Sequence, residues 1–294
     1  MSNTPNLKAV FLLLVLALIW GTSFILIKQG LKSFAPTEVA TLRVSAAFLF
    51  TLPIALTRLK GLRFEDFRAL MVSGLLGIFI PAFLFSTAQT RLDSSVAGIL
   101  NTLSPICTII VGTVFFGQRF KGNAIVGILI GLAGVVLLML SRDKTNVTGI
   151  NYYSLLIVAA CLMYGTNLNW IKFRIPGLSA LTITSVSILT IGPFALAYLF
   201  GFTDFTSKLE TVEGAWVSLG FVVLLGCMST AVANLIFTEL LKISTPLFAS
   251  SVTYLMPVVA LGWGLLDGER LYPGHYIGFA AILVGVYLAN RKKE

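Results

Sequence analysis

Arg43 is the residue best placed to do chemistry, because it is a full charge inside an otherwise apolar run. It lies seven residues beyond Pro36, or about 10 Å along a helix at a rise of about 1.5 Å per residue. An ionisable group at that depth in an apolar segment is a functional candidate by default. It can meet an anionic group on a substrate. It can equally snorkel outward, or bind carbonyls at helix ends. Glu38 is five residues away and so on another helical face, which leaves no intrahelical ion pair to account for it. The remaining polar residues within apolar runs include Thr22, Ser23, Gln89, Asn101, Asn167, Asn169, Asn234 and Tyr254. Each can line a wet pathway or bond a neighbouring helix. Trp20 and Tyr164 sit deep in their runs, away from the interfacial belt where such rings gather. They can wall a cavity or simply pack.

Reaction chemistry finds less support. There is one histidine, His275, no acid pair or His/Cys cluster with metal-ligand spacing, and no Gly-x-Ser-x-Gly. Gly-Lys-Ser/Thr is absent, so this chain has no Walker ATP site. The expectation is a protein that is not an enzyme and needs no cofactor or metal. Glu239 and Lys242 are spaced i, i+3; they read as a solvated pair, with a proton-coupling carboxylate as the sharper alternative. Gln118 and Glu269 each follow a glycine and precede an arginine, which reads as a polar cluster tying down a helix end. Cys107, Cys161 and Cys227 have neither metal-like nor disulfide-like spacing and read as small packing residues.

The elements that must position these groups are membrane helices. The chain of 294 residues is 57% hydrophobic and 11% charged, with a mean hydropathy of +0.93. Soluble domains carry about 25% charged residues. Ten apolar runs of near-membrane length fall roughly at 8–28, 36–57, 69–90, 94–117, 122–141, 150–171, 177–200, 214–238, 245–266 and 272–290. The first has one Lys before it and no small-x-small site after it, so it reads as a retained helix rather than a signal peptide. The net charge of +9 is spread over short loops, which argues against nucleic acid. With a cytoplasmic N-terminus, 13 cations fall at inner helix ends and 7 at outer ends. That bias puts both termini in the cytoplasm.

The chain also repeats itself. Ser94–Arg119 contains a central Pro105 and ends in Gly117-Gln118-Arg119; Ser250–Arg270 contains Pro257 and ends in Gly268-Glu269-Arg270. Proline in a helix frees a carbonyl and bends the axis, so Pro105 and Pro257 are candidate gating kinks. Trp20-Gly21-Thr22 with Lys28 recurs as Tyr164-Gly165-Thr166 with Lys172, 144 residues later. Gly127, Gly131 and Gly134 form a small-residue stripe, as do Gly274, Gly278 and Gly285. Such stripes let helices approach closely, within one chain or across a homodimer. The expected domains are therefore 1–147 and 148–294, each a five-helix repeat. Five is odd, so the second repeat enters the membrane inverted, with a site between the two near the midplane.

These residues together resemble the EamA family of the drug/metabolite transporter superfamily. The resemblance spans nearly the whole chain, through the two aromatic-Gly-Thr motifs, Arg43 and the two proline helices. One departure is Gln118, where the family often has Glu. The resemblance implies an all-α polytopic membrane protein with ten transmembrane helices as two inverted repeats. It implies a central cavity from helices 1, 3, 4, 6, 8 and 9, and export of amino acids or other small metabolites by alternating access. The location implied is the inner membrane, with lipid and a small-molecule substrate as partners. The alternative is a lipid-handling or flippase-like protein. The expected pathway residues are Trp20, Thr22, Arg43, Gln89, Asn101, Tyr164, Asn167, Asn234 and Tyr254.

Overall fold

The computed structural model describes residues 7–117, 122–140, 152–243 and 252–290. Among the described residues there are helices and no strands. We label α1 Leu7–Gly30, α2 Pro36–Thr57, α3 Phe64–Ala88, α4 Ser94–Phe116, α5 Gly122–Leu140, α6 Tyr153–Arg174 and α7 Ala180–Phe202. A short surface helix, Phe205–Thr211, comes next. Helix α8 runs through Ala215–Leu224, a π-helical stretch at Leu225–Val232, and Ala233–Ile243. Helices α9, Val252–Leu266, and α10, Pro273–Asn290, complete the fold.

Seven of these helices are long and apolar enough to cross a membrane: α1, α2, α3, α4, α6, α7 and α8 over Ala215–Phe237. The other three expected spans fall on shorter apolar helices, at Val126–Leu137, Val252–Leu266 and Pro273–Gly285. The expected span from 245 begins outside the described residues. The molecule is thus an all-helical, multi-pass protein, as an apolar surround requires. Where water is absent, a helix satisfies its backbone groups within its own segment.

Local chemistry sets several helix starts. Pro36 opens α2, and Glu38 Oε2 accepts from the Ala35 N–H at 2.7 Å and from Lys208 Nζ at 2.7 Å. Glu38 is therefore tied to the surface helix rather than to Arg43. Ser179 Oγ accepts from the Thr182 N–H at 3.1 Å and begins α7. Helix α3 starts five residues before the expected 69, at Phe64. Its first turn is polar, and Asp66 Oδ2 accepts from the Arg63 N–H at 3.0 Å.

The packing follows a rule. Helix α1 lies against α8 and α9, and α6 lies against α3 and α4. Helix α2 packs on α8, and α7 on α3. Helices α2 and α7, α4 and α9, and α5 and α10 pair with each other. Exchanging each helix with the one five places away returns these same pairings. Gly21 and Gly165 make two of them possible. A Cβ on Gly21 would stand 2.6 Å from Val259 Cβ and 2.8 Å from the Met256 carbonyl of α9. A Cβ on Gly165 would stand 2.7 Å from the Thr108 nitrogen of α4. Each glycine lets its helix touch the proline-bearing helix of the other half.

The glycine stripes are used in the same way. Helices α5 and α10 pack stripe to stripe: a Cβ on Gly134 would meet the Gly278 carbonyl at 2.7 Å, and one on Gly285 would meet the Gly127 carbonyl at 2.6 Å. Gly131 rests under Ile106 of α4. Gly274 is half-buried in the first turn of α10. Gly285→Ala therefore presses on backbone that cannot yield, and is expected to cost about 1–3 kcal/mol. Gly201→Ala adds its methyl in open space on α7 and is expected to raise stability by up to about 1 kcal/mol. Thermal unfolding of both variants in detergent checks the pair; an equal response from the two would refute the packing argument.

Candidate functional site

The site is built where the helices stop being regular. Helix α4 is interrupted between Ser94–Asn101 and Ser104–Phe116. Pro105 has no N–H to give the Asn101 carbonyl four residues back. Ser104 Oγ donates to that carbonyl instead, at 2.8 Å. Thr102 Oγ1 donates to the Ile99 carbonyl at 2.6 Å. Helices α3 and α8 each carry a π-helical stretch, at Leu75–Phe79 and Leu225–Val232. Each contains the last glycine of a Leu-Leu-Gly triplet, Gly77 and Gly226. Asn167 of α6 packs directly against Gly77, and the Arg43 carbonyl of α2 would be 2.5 Å from a Cβ on Gly226. Such π-turns occur often at functional sites.

These irregular stretches surround a cavity of about 470 Å³. Its wall includes Trp20 and Ser23 of α1, Arg43 of α2, Gly77 and Phe85 of α3, and Asn101, Ser104, Pro105 and Thr108 of α4. Tyr164 and Asn167 of α6, Ser229, Thr230, Asn234 and Phe237 of α8, and Val252, Thr253 and Met256 of α9 also line it. Both halves of the chain contribute. Arg43 Nε donates to Thr230 Oγ1 at 3.1 Å. Trp20 Nε1 donates to the Ser229 carbonyl at 2.9 Å, inside the π-stretch of α8. Asn234 Nδ2 donates to the Thr230 carbonyl at 2.6 Å. The Trp20 and Phe237 rings are 5.5 Å apart, and Phe85 stacks on Tyr164 at 6.2 Å.

Of the residues singled out from sequence, Trp20, Arg43, Asn101, Pro105, Tyr164, Asn167 and Asn234 are together on this wall. Thr22, Gln89, Tyr254 and Pro257 are not. Thr22 points the other way, and its Oγ1 accepts from Trp263 Nε1 of α9 at 2.9 Å. Gln89 is buried at the end of α3, with both amide atoms unpaired. Tyr254 packs half-buried on the main core, and Pro257 is buried where α9 meets α1. Glu239 Oε1 pairs with Lys8 Nζ at 2.9 Å. Gln118 lies outside the described residues.

A second feature, beyond one end of the cavity, was only half legible. Glu269 follows Gly268, which holds a positive φ of 80° at the end of α9. Its Oε1 accepts from the Ser94 N–H at 2.9 Å and Ser94 Oγ at 2.7 Å, and lies 2.7 Å from Lys28 Nζ. Its Oε2 accepts from the Ser95 N–H at 3.0 Å and from Ser95 Oγ. Lys28 also pairs with Asp267 at 2.7 Å. One carboxylate thus caps α4, pairs with α1 and anchors the turn between α9 and α10. The sequence marked Lys28 and Glu269 separately, within their own repeats, but not as partners.

The profile of the EamA-like transporter family matches this chain twice, over residues 7–140 and 151–291. The chain belongs to the EamA-like transporter family. An Archaeoglobus fulgidus protein, described as an uncharacterized transporter, is 27% identical over 276 residues, or 93% of this chain and 95% of its own. An Escherichia coli protein, described as a probable amino-acid metabolite efflux pump, is 26% identical over 288 residues, 94% and 93% of the two chains. A crystal structure with 19% identity superposes with a TM-score of 0.61 over 96% of each chain, which shows a shared fold. Within this EamA-family fold, the aromatic-Gly-Thr motifs put their ring on the cavity and their glycine on a neighbouring helix.

Glu269 lies outside the spanning segments, and its ionisation has a sign that can be worked out. Burial opposes its charge, but hydrogen bonds from Lys28, Ser95 and Ser94 outweigh it and hold the carboxyl down at about 2, against an ordinary 4.5. A depressed carboxyl stabilises the folded state above its unfolded pKa and stops doing so as pH falls through the folded value. The contribution is complete above about pH 5 and fades toward about pH 2. Wild type is therefore expected to melt well above Glu269→Gln at neutral pH, with the gap narrowing toward about pH 3. A gap that stays constant with pH would contradict this account.

Proposed function

We propose that the chain is a secondary transporter that exports amino acids or other small metabolites by alternating access. The observation that carries this reading is the cavity, which both halves of the chain line with Arg43, amides and hydroxyls. A wet hollow of this kind near the middle of a helical membrane protein is where transporters hold substrate. The relative described as a probable amino-acid metabolite efflux pump supports the substrate range. A lipid-handling role is less well served, because the wall holds a guanidinium and three asparagines beside its aromatic rings.

In this reading the ten apolar helices form two repeats, 1–147 and 148–294, inverted in the inner membrane with both termini cytoplasmic. The contact pattern that survives a five-helix exchange supports the repeat relation. The odd number of crossings per repeat supports the inversion. Lys28, Ser94, Ser95 and Glu269 would then lie at the outer end. The cavity wall runs from them toward the other end, as far as Ile109 on α4 and Val252 on α9. The state described is one with the outer end held shut by the Glu269 network. Pro105 and Pro257 supply the bends about which α4 and α9 move.

The test is counterflow in proteoliposomes with a panel of labelled amino acids and metabolites. Asn101→Leu and Asn167→Leu are expected to cut the rate at least about tenfold, equivalent to about 1.4 kcal/mol, while both variants melt like the wild type. Full transport by both would remove this cavity from the pathway.

A further inference from the structure

Among the described residues, the cavity wall carries one charge, Arg43, and no acid. The described ion pairs all lie elsewhere, and none involves the Arg43 guanidinium. Its hydrogen bond to Thr230 Oγ1 uses Nε. A guanidinium has five N–H donors in a rigid fork, and this bond engages one of them. A charge in such surroundings is costly until a counter-charge or water completes it. Among the described residues nothing supplies the counter-charge. Helix α2 does not let Arg43 snorkel to a helix end, because Thr230 of α8 holds it against the cavity.

The rest of the wall is of another kind. The ring pairs Trp20–Phe237 and Phe85–Tyr164 line the same space. They offer apolar faces near a single cation. We propose, resting on the transport reading above, that this site takes small monocarboxylates with an apolar body. The carboxylate pairs with the open edge of Arg43, where two parallel charge-assisted bonds are possible. The apolar part lies against the aromatic rings. A second carboxylate on the ligand would have no partner here, and a cationic ligand would meet Arg43 with the same sign. The wall thus selects one negative group, not two and not none. An amine on the ligand is tolerated rather than required, since amide and hydroxyl oxygens are available but no acid is.

The experiment uses the purified full chain in detergent and three probes of nearly the same shape. Isothermal titration calorimetry compares 3-phenylpropionate with 3-phenylpropanamide and phenethylamine. The acid is expected to bind at least tenfold more tightly than the amide or the amine. Arg43→Gln is expected to abolish that preference, and Arg43→Lys to restore it only in part, because a lysine lacks the fork. Equal binding of acid and amide, or no binding of the acid, would overturn the proposal without any appeal to a variant's folding. Counterflow of labelled L-leucine into proteoliposomes reads the transport proposal separately. If the acid preference is present but leucine does not cross, the site stands and the transport reading falls. If leucine crosses but the acid preference is absent, the reverse holds.

Discussion

Polar groups away from water must be satisfied by the protein itself, and this constraint governs where the helices are allowed to be irregular. Among the described residues, three segments depart from regular α-helix within the bundle, and all three reach the cavity wall. At α4 the proline-freed carbonyl of Asn101 is taken by Ser104 Oγ. At α8 the widened turns expose the Ser229 carbonyl, which Trp20 Nε1 takes from α1. Asn169 Nδ2 of α6 bonds the Thr108 carbonyl of α4 at 3.0 Å. Side chains from one half thus close backbone gaps in the other. Each opened turn borders the cavity, and at α4 and α8 side chains rebond the backbone groups that the opening frees.

The two halves are related but not equal, and the difference has a local cause. Around Pro105 the chain offers Asn101, Thr102 and Ser104; around Pro257 it offers Thr253, Tyr254 and Met256. Hydroxyls next to a proline compete for backbone carbonyls and favour a break. Helix α4 is accordingly interrupted at Thr102 and Leu103, whereas α9 runs through Pro257 without one. The same asymmetry appears at the helix ends. Glu269 carries a charge that unites three elements. By sequence its counterpart is Gln118, which has no charge to contribute.

Much of this was legible in the sequence, for reasons that also explain the remainder. Apolar runs report helices directly, and α2 was expected at 36–57 and observed at Pro36–Thr57. The start of α3 was missed because a helix can extend past its apolar part, and Glu65, Asp66 and Arg68 hide that from a hydropathy count. Trp20 and Thr22 were put forward together, yet only Trp20 meets the cavity. Two residues apart on a helix are about 200° apart around it, and a helix that is apolar all round does not announce which side is wet. Thr230 was missed because a threonine in an apolar run has no distinguishing neighbours. Lys28, Ser94 and Glu269 come from three distant parts of the chain, and no spacing in the sequence could join them.

The energetics of the Glu269 network bear on how a transport cycle would run. If a cycle opens that end of the bundle, the bonds from Ser94, Ser95 and Lys28 to Glu269 must part, so they bias the balance toward the arrangement described. A substrate can shift such a balance only by binding one state better than the other. The groups able to discriminate are those on helices that the network restrains. Trp20 shares α1 with Lys28, and Asn101 shares α4 with Ser94 and Ser95. Thr230, which fixes Arg43, lies on α8 against α1. A ligand that draws these walls together strains the contacts at the end of the same two helices. Coupling between the cavity and the Glu269 network therefore needs no wire through the core, because α1 and the Ser94–Asn101 segment of α4 each carry a group of both on one unbroken stretch of helix.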